Sequence, residues 1–165
     1  MECYGGFRMK KAFFYETQIG NIGIAENGRA ITNVFFGNTV VPKEYKVEET
    51  PLLKEAAKQL LEYLNGIRKV FNIPLETEGT EFERTVWEAL RTIPYGDLRN
   101  YRQIAEQIGR PRACRAVGRA NGLNPISIFI PCHRVIGSNG KLTGYAGGLT
   151  MKHQLLELET NKKYE

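Results

Sequence analysis

The sequence predicts two structural units of different class, an α/β unit in the first half of the chain and a mainly helical unit in the second. Three observations support this prediction. β-rich runs with a turn signal occupy residues 12–36, one amphipathic helix follows them, and beyond residue 80 the apolar side chains recur at helical spacing. The 165 residues are enough for one large or two small domains.

The first half is predicted to form strands. Residues 12–15, 23–25 and 30–36 are rich in apolar, β-branched and aromatic side chains, which favour strands. The run Glu26-Asn27-Gly28 is typical of a hairpin turn between the last two of them. No residue of this half suggests catalysis, because it contains no histidine and its one cysteine lies near the N-terminus.

A helix is predicted over residues 51–64. Thr50 is a preferred N-cap, and Pro51 suits the first helical position, where no hydrogen-bond donor is needed. Leucine and alanine recur on one face, and Asn65-Gly66 is a typical helix end. Residues 68–79 lack periodicity and are the best candidate for a linker.

The second half is predicted to begin with a helix. Thr80 followed by Glu83 forms a capping-box pattern, and the buried face that starts at Phe82 ends at Pro94. Trp87 lies beside this face and is interpreted as a core or domain-interface residue.

A helix-turn-helix follows. Asn100 is placed to cap a short helix over 101–108, a turn with glycine covers 109–111, and a second helix covers about 112–120. Ala113, Ala116 and Ala120 share one face of this second helix, between three arginines. Small side chains there would let the backbone approach a nucleic acid closely. Packing against the preceding helix is the alternative, and the surrounding arginines favour the nucleic acid.

The charge is concentrated in the second half. Residues 1–80 hold 10 basic and 10 acidic residues, whereas residues 81–165 hold 13 and 8, which accounts for the whole net charge of +5. Residues 91–152 contain ten basic residues and only two acidic ones, Asp97 and Glu106. Such a concentration of arginine indicates a polyanionic partner, and a solvated basic face is the alternative.

Composition excludes several classes of protein. No apolar run approaches the roughly 20 residues of a membrane span, and no secretory signal is expected at the N-terminus. Cys3, Cys114 and Cys132 are an odd number without a CxxC pair, which argues against a disulfide scaffold or a zinc ribbon. We therefore expect a reducing, cytoplasmic location.

The residues with the clearest chemistry follow a run predicted to be buried and extended, 126–130. It leads into Cys132 and His133, so that a nucleophilic thiolate could be favoured by neighbouring bases and cations. An inert buried cysteine is the alternative. A metal site is less favoured still, because two histidines and scattered cysteines lack ligand spacing.

This segment carries a resemblance to a known family. Pro131-Cys132-His133-Arg134-Val135, preceded by Asn124-Pro125 and Ile128-Phe129-Ile130, resembles the active-site signature of the O6-alkylguanine-DNA alkyltransferases, the methylated-DNA–protein-cysteine methyltransferases. Further segments resemble the family in family order: Phe82-Glu83-Arg84-Thr85-Val86-Trp87, Ile93-Pro94-Tyr95-Gly96, Arg115-Ala116-Val117-Gly118 and Gly144-Tyr145-Ala146-Gly147-Gly148-Leu149. The likeness covers nearly the whole chain and is strongest from residue 79 onward.

The resemblance implies an N-terminal α/β domain with a ribonuclease-H-like sheet over 1–76. It also implies a mainly α C-terminal domain with a winged helix-turn-helix over 77–165. The implied activity is suicide repair of double-stranded DNA. The alkyl group on guanine O6, and that on O4-alkylthymine, passes irreversibly to a cysteine of the protein.

The resemblance also implies residue roles in the transfer. Cys132 is the acceptor and attacks the alkyl carbon in line with the departing oxygen. His133 draws off the thiol proton through a water, and Glu159 orients the imidazole. Tyr101 protonates the departing base, and Asn124 holds the loop that carries the cysteine.

A pocket for the flipped guanine is implied as well. Lys152 would hydrogen-bond Tyr101, and Tyr145 with the backbone after it would read the base edge. Ala146 stands where some relatives carry serine, but the contact there uses the main-chain amide. The residues implied to bind substrate are Tyr101, Val135, Tyr145, Ala146, Gly147 and Lys152.

The DNA contact is implied to use the second helix of the helix-turn-helix, docked in the minor groove with little sequence preference. Arg115 would fill the stack that the flipped nucleotide leaves. The residues implied to bind DNA are Arg112, Arg115, Ala116, Arg119 and Arg134.

Some relatives hold a structural zinc, but residues 1–80 offer only Cys3, so we expect no metal and no cofactor. A monomer that does not bind membranes is expected. Three alternatives remain open at this point: a non-catalytic winged-helix DNA-binding protein, a lesion sensor, and a Cys-His-Glu hydrolase. The sensor lacks an acceptor cysteine, which Cys132 argues against, and the hydrolase leaves the basic helix unexplained.

Overall fold

The structure is a computed structural model that describes residues 9–37 and 40–163. Cys3 lies outside the described residues. Within them no helix is long and apolar enough to cross a membrane. The strands are β1 Lys10–Thr17, β2 Gly20–Glu26, β3 Ile31–Phe36, β4 Tyr45–Val47, β5 Arg99–Asn100 and β6 Val135–Ile136. The helices are α1 Pro51–Leu64, α2 Glu81–Arg91, α3 Tyr101–Gln107, α4 Cys114–Gly122 and α5 Leu149–Thr160, with a 3₁₀ turn at Cys132–Arg134.

The N-terminal unit is a sheet covered by α1. The described strands are ordered β3-β2-β1-β4, with β1–β2 and β2–β3 antiparallel and β4 parallel to β1. The three predicted strands are confirmed. β1 and β2 are longer than expected and β3 is one residue shorter, whereas β4, of only three residues, was not predicted. Charged and polar residues surround this short strand, so its sequence does not favour a strand, and among the described strands it pairs only with β1.

Helix α1 begins and ends as the sequence predicts. The Thr50 hydroxyl accepts a hydrogen bond from the Leu53 amide, and Pro51 occupies the first turn. One face is buried by Leu53, Ala56 and Leu60, none of which exposes any surface. Since α1 contacts β2 and β1, this apolar face closes the core of the N-terminal unit.

The segment without periodicity is held at the edge of this unit. The Gln59 side chain of α1 accepts from the Asn72 amide and donates to the Asn72 carbonyl. The Ile31 backbone of β3 likewise bonds Pro74 and Glu76. Both anchors use backbone groups, so a hydropathy pattern does not report them.

The C-terminal unit begins with α2, whose capping box between Thr80 and Glu83 is present as predicted. Trp87 is buried, and its indole nitrogen donates to the Ala120 carbonyl of α4 at 2.9 Å. The helices α3 and α4 form the predicted helix-turn-helix, with Asn100 capping α3 and Gly109 in the left-handed region of the turn. The indole bond therefore ties α2 directly to the second helix of that motif.

Parallel pairing of β5 with β6 joins the helix-turn-helix to the segment that follows Cys132. Arg99 pairs with Val135, and Asn100 with Ile136. Because Tyr101 follows directly on β5, this pairing places the first residue of α3 beside the cysteine-bearing segment.

The prediction of a buried extended run at 126–130 is half right. The run is buried, but the chain folds back on itself there, with the Ile130 amide donating to the Ile126 carbonyl. Ile128 adopts a φ of 75°, which a β-branched residue rarely takes. Periodicity cannot distinguish a buried turn of this kind from a buried strand.

The two units share one hydrophobic core. Buried residues of β2, β3 and α1 lie in the same cluster as those of α2, α3, α4 and α5. The Val34 amide of β3 donates to the Pro125 carbonyl at 2.8 Å, so the sheet edge contacts the segment before the cysteine. The two units therefore meet at the segment that carries Cys132.

Candidate active site

Cys132 opens the 3₁₀ turn and is almost completely buried, with 3% of its surface exposed. Its sulfur lies 3.9 Å from the Ser127 hydroxyl. Burial raises the pKa of the Cys132 thiol, and contacts with Asn124, Ser127 and Lys152 only partly offset this. Neighbouring groups, the Lys152 charge among them, favour the thiolate as expected, but burial outweighs them, so the thiol needs a base to become nucleophilic.

Asn124 braces the turn before the cysteine. Its side chain donates to the Ile130 carbonyl at 2.8 Å and accepts from the Ile126 amide at 3.0 Å. These two bonds span the residues around Ile128, whose left-handed backbone is strained by about 1–3 kcal/mol. The amide group thus stabilises a conformation that this sequence would not adopt alone.

We expect Asn124→Ala to lower the free energy of unfolding by about 1–3 kcal/mol, because two buried backbone groups lose their partner. Denaturant unfolding measures this. Asn65→Ala is the control, since the Asn65 side chain bonds Gln18 at the surface and its loss should change little. Equal stabilities of the two variants would contradict the bracing role of Asn124.

His133 and Glu159 form a buried pair. The His133 Nε2 atom lies 2.6 Å from Glu159 Oε2, and both side chains are fully buried. Burial lowers the pKa of His133, although the carboxylate opposes the shift. The second ring nitrogen, Nδ1, is buried and has no hydrogen-bond partner among the described residues. A neutral imidazole that donates from Nε2 keeps Nδ1 available as a base.

The Glu159 carboxylate is held by donors from three parts of the fold: α1, the 3₁₀ turn at Cys132–Arg134, and the turn that contains Gly96. Within the described chain its two oxygens accept from Tyr63 Oη, His133 Nε2, Arg134 Nε and Nη2, and the Gly96 amide. Hydrogen bonds and charge interactions with His133 and Arg134 hold the pKa of Glu159 well below its usual range despite burial. Gly96 has a φ of 82°, and a Cβ there would lie 3.3 Å from the Glu159 carbonyl, so this close approach suits glycine.

Arg134 does not belong to the exposed basic surface, so its prediction as a DNA-binding residue is wrong. Its side chain is buried, with Nε and Nη2 on Glu159 and Nη1 donating to the Ile93 carbonyl at 2.6 Å. Removing the arginine charge from water costs free energy, and an opposite charge with good hydrogen-bond geometry offsets that cost. Basic composition could not distinguish this arginine from the exposed ones.

Tyr63 was missed by the sequence analysis. It lies on α1, fully buried, and its hydroxyl donates to Glu159 Oε2 at 2.5 Å and lies 3.4 Å from His133 Nε2. The available signal was weak: a tyrosine on an apolar helix face needs a partner for its hydroxyl. The partner is 96 residues away in sequence.

Tyr101 and Lys152 are linked through Thr143, a residue that the sequence analysis also missed. The Tyr101 hydroxyl hydrogen-bonds the Thr143 hydroxyl. Lys152 Nζ donates to the carbonyls of Val135 and Thr143, at 2.7 and 3.2 Å. Across the described residues no hydrogen bond joins Lys152 to Tyr101, so the direct contact that was predicted is absent. Burial lowers the pKa of Lys152 to about 8.

The predicted pocket residues lie around this cluster. Tyr145 packs its ring 5.8 Å from that of Phe36 of β3 and 6.5 Å from that of His133, measured between centroids. Its hydroxyl is buried without a hydrogen-bond partner in the described chain. Ala146 is exposed, and Gly147 packs so closely on Met151 that a side chain there would collide. The Tyr145 ring thus lies between the sheet edge at Phe36 and the ring of His133.

The second helix of the helix-turn-helix presents a basic surface. Arg115, Ala116 and Arg119 of α4 are exposed, and so is Arg112 in the turn before it. Ala120, by contrast, is buried. The predicted alanine face is therefore only partly exposed: Ala120 packs in the core, whereas Ala116 lies at the surface between arginines.

Two family descriptions match the chain. Residues 11–77 match the ribonuclease-like domain of 6-O-methylguanine DNA methyltransferase, and residues 81–161 match its DNA binding domain. The chain belongs to this methyltransferase family. The predicted fold class and enzyme class, methylated-DNA–protein-cysteine methyltransferase, are confirmed with the family.

Individual members of the methyltransferase family are similar over most of their length. The methylated-DNA–protein-cysteine methyltransferase of Methanosarcina barkeri is 49% identical over 88% of this chain and 94% of its own. The constitutive enzyme of Bacillus subtilis is 49% identical over 87% and 92%. The structure of Mycobacterium tuberculosis OGT in complex with DNA is 43% identical, with a TM-score of 0.86 over 93% and 95% of the two chains.

Proposed function

We propose that this protein repairs double-stranded DNA by moving the alkyl group of O6-alkylguanine irreversibly to Cys132. A bond forms between the Cys132 sulfur and the alkyl carbon, and the bond from that carbon to guanine O6 breaks. The thiol proton leaves the sulfur, and a proton is delivered to the departing base, so the products are the thioether and guanine. The observation that supports this most is a buried His133–Glu159 pair directly beside a buried cysteine in a chain of this family.

His133 acts as the base for the thiol, through a water. Its Nδ1 atom is free to accept a proton because Nε2 faces the carboxylate. Glu159 remains ionised and stabilises the imidazolium that forms. Since burial raises the pKa of Cys132, the thiolate is generated when substrate is bound rather than stored.

Tyr101 supplies the proton to the departing guanine. Its hydroxyl already hydrogen-bonds Thr143, which in turn is tied to Lys152. Val135, Tyr145, Ala146, Gly147 and Lys152 form the walls of the pocket for the base.

The damaged nucleotide is flipped out of the duplex before transfer, because its O6 atom is otherwise inside the base stack. Helix α4 docks in the minor groove with Arg112, Ala116 and Arg119 near the backbone, and Arg115 enters the stack. Exposure of these four residues supports this placement. Binding through phosphates and the minor groove is expected to be largely independent of sequence.

Arg115→Ala is expected to reduce repair of O6-methylguanine in duplex DNA by about tenfold or more while leaving transfer from the free modified base nearly unchanged. The two rates are compared by following Cys132 alkylation with each substrate. Arg29→Ala is the control, because Arg29 is an exposed arginine that pairs with Glu76 on the N-terminal unit. Equal losses on duplex and free base would contradict a flipping role for Arg115.

O4-alkylthymine is a second substrate of the same pocket in this proposal. The protein acts as a cytoplasmic monomer without cofactor or metal. Its N-terminal domain ends at residue 76, and its C-terminal domain begins at residue 77.

Titration of lesion duplex against protein tests the suicide mechanism, since repair should stop at one lesion per chain. Repair beyond one equivalent would contradict it and favour a turning-over Cys-His-Glu hydrolase, whereas binding without repair would favour a lesion sensor.

A further inference from the structure

We propose that Tyr63, contributed by α1 of the N-terminal unit, is a positioning residue for alkyl transfer that fixes how Glu159 meets His133. The proposal rests on the function proposed above for Cys132 and His133. It assigns to the N-terminal unit a direct part in the chemistry of the C-terminal one.

The geometry is a closed triangle of three buried groups. The Tyr63 hydroxyl and His133 Nε2 lie 2.5 and 2.6 Å from the same oxygen of Glu159, and 3.4 Å from each other. A carboxylate oxygen only accepts hydrogen bonds, so both neighbours must direct a proton at it. His133 is therefore the tautomer with its proton on Nε2, and Nδ1 is the basic nitrogen.

Tyr63 is well suited to this task. Burial and the Glu159 charge raise the pKa of Tyr63 well above its usual range, so the hydroxyl stays protonated. The ring is fixed by contacts with Phe71 and Tyr95, at centroid distances of 5.3 and 6.1 Å. A donor that cannot ionise and cannot move defines the position of the oxygen it contacts.

The hydroxyl also competes with His133 for the negative charge of that oxygen. Without it, the carboxylate would interact more strongly with the imidazole and favour its protonated form. The groups that face the pair from the packed elements are Tyr63, Tyr95, Arg134, Tyr145 and Lys152. A Tyr63→Phe substitution changes only the first of them and retains the ring.

The chain contains only two histidines, His133 and His153, so ¹⁵N-histidine NMR resolves both in the full-length protein. We expect the unmodified protein to show His133 as the Nε2–H tautomer. In Tyr63→Phe the pKa of His133 is expected to rise by about 0.5–1 unit. Methyl transfer at neutral pH should slow by about threefold to tenfold, with the acid limb of the rate profile moved to higher pH.

Tyr15→Phe is the matched control, because the Tyr15 hydroxyl also donates to a carboxylate, that of Glu49, but away from the site. It should leave the His133 titration and the transfer rate unchanged. If Tyr63→Phe slows transfer but leaves the His133 titration unchanged, Tyr63 has a purely structural role and the proposal is overturned. The same holds if Tyr63→Phe and Tyr15→Phe show the same transfer rate and the same His133 titration. If the unsubstituted protein fails to alkylate Cys132, the proposed function fails, while the titration still decides whether Tyr63 sets the His133–Glu159 pair.

Discussion

Cys132→Ser is expected to abolish alkyl transfer completely while the protein still binds duplex DNA. A serine hydroxyl is a far weaker acid and nucleophile than a thiol, and His133 cannot compensate for the difference. The exposed residues of α4, which contact DNA in this account, are unchanged. Transfer of a labelled methyl group and DNA affinity, measured side by side, test this expectation.

Cys114→Ser is the matched control for this experiment. Cys114 is the other cysteine among the described residues, partly exposed at the start of α4 between the exposed Arg112 and Arg115. The same chemical change there should leave transfer intact. Residual transfer in Cys132→Ser, or its loss in Cys114→Ser, would show that the acceptor has been assigned to the wrong cysteine.

Glu159→Gln is expected to slow alkyl transfer by about 10²-fold or more and to destabilise the fold by about 3–5 kcal/mol. A neutral glutamine cannot balance the charge of the buried Arg134. Its NH₂ group would also replace one of the two carboxylate oxygens that accept from Arg134, so that two hydrogen-bond donors would face each other. The imidazolium formed by His133 would also lose its stabilising charge. Single-turnover kinetics and denaturant unfolding measure the two effects.

The pH dependence of stability gives a further check on Glu159. Because its pKa is lowered by folding, its contribution is fully present above the unfolded value of about 4.3 and is lost as the pH falls below it. The stability difference between the protein and Glu159→Gln should therefore narrow in acid. Glu157→Gln, two residues away and partly exposed beside His153, should cost little at any pH. A pH-independent difference for Glu159→Gln would contradict an ionised, buried carboxylate.

Local signals in the sequence predicted most of the fold. Thr50 with Pro51, the capping box at Thr80, and the Asn100 cap each specify a helix start through neighbouring atoms, and all three are present. The turn around Ile128 could not be predicted in this way. Its strained backbone is stabilised by Asn124 and by surrounding core packing, and neither effect appears as a pattern of hydropathy.

The association of Cys132, His133 and Glu159 in one site was predicted only from family resemblance. The structure places His133 and Glu159 in contact. Arg134 was misassigned because charge alone does not reveal whether an arginine is buried. Tyr63 and Thr143 were missed because their partners are 96 and 42 residues away in sequence. Contacts of this range depend on how the two units pack, which no local pattern encodes.

Intact-protein mass spectrometry, after mixing with duplex DNA that contains one O6-methylguanine, tests the central claim most directly. We expect a single added methyl group, located on the peptide that contains Cys132, at no more than one per chain. An unchanged mass in protein that still binds the lesion duplex would contradict alkyl transfer and leave a lesion sensor or a plain DNA-binding protein.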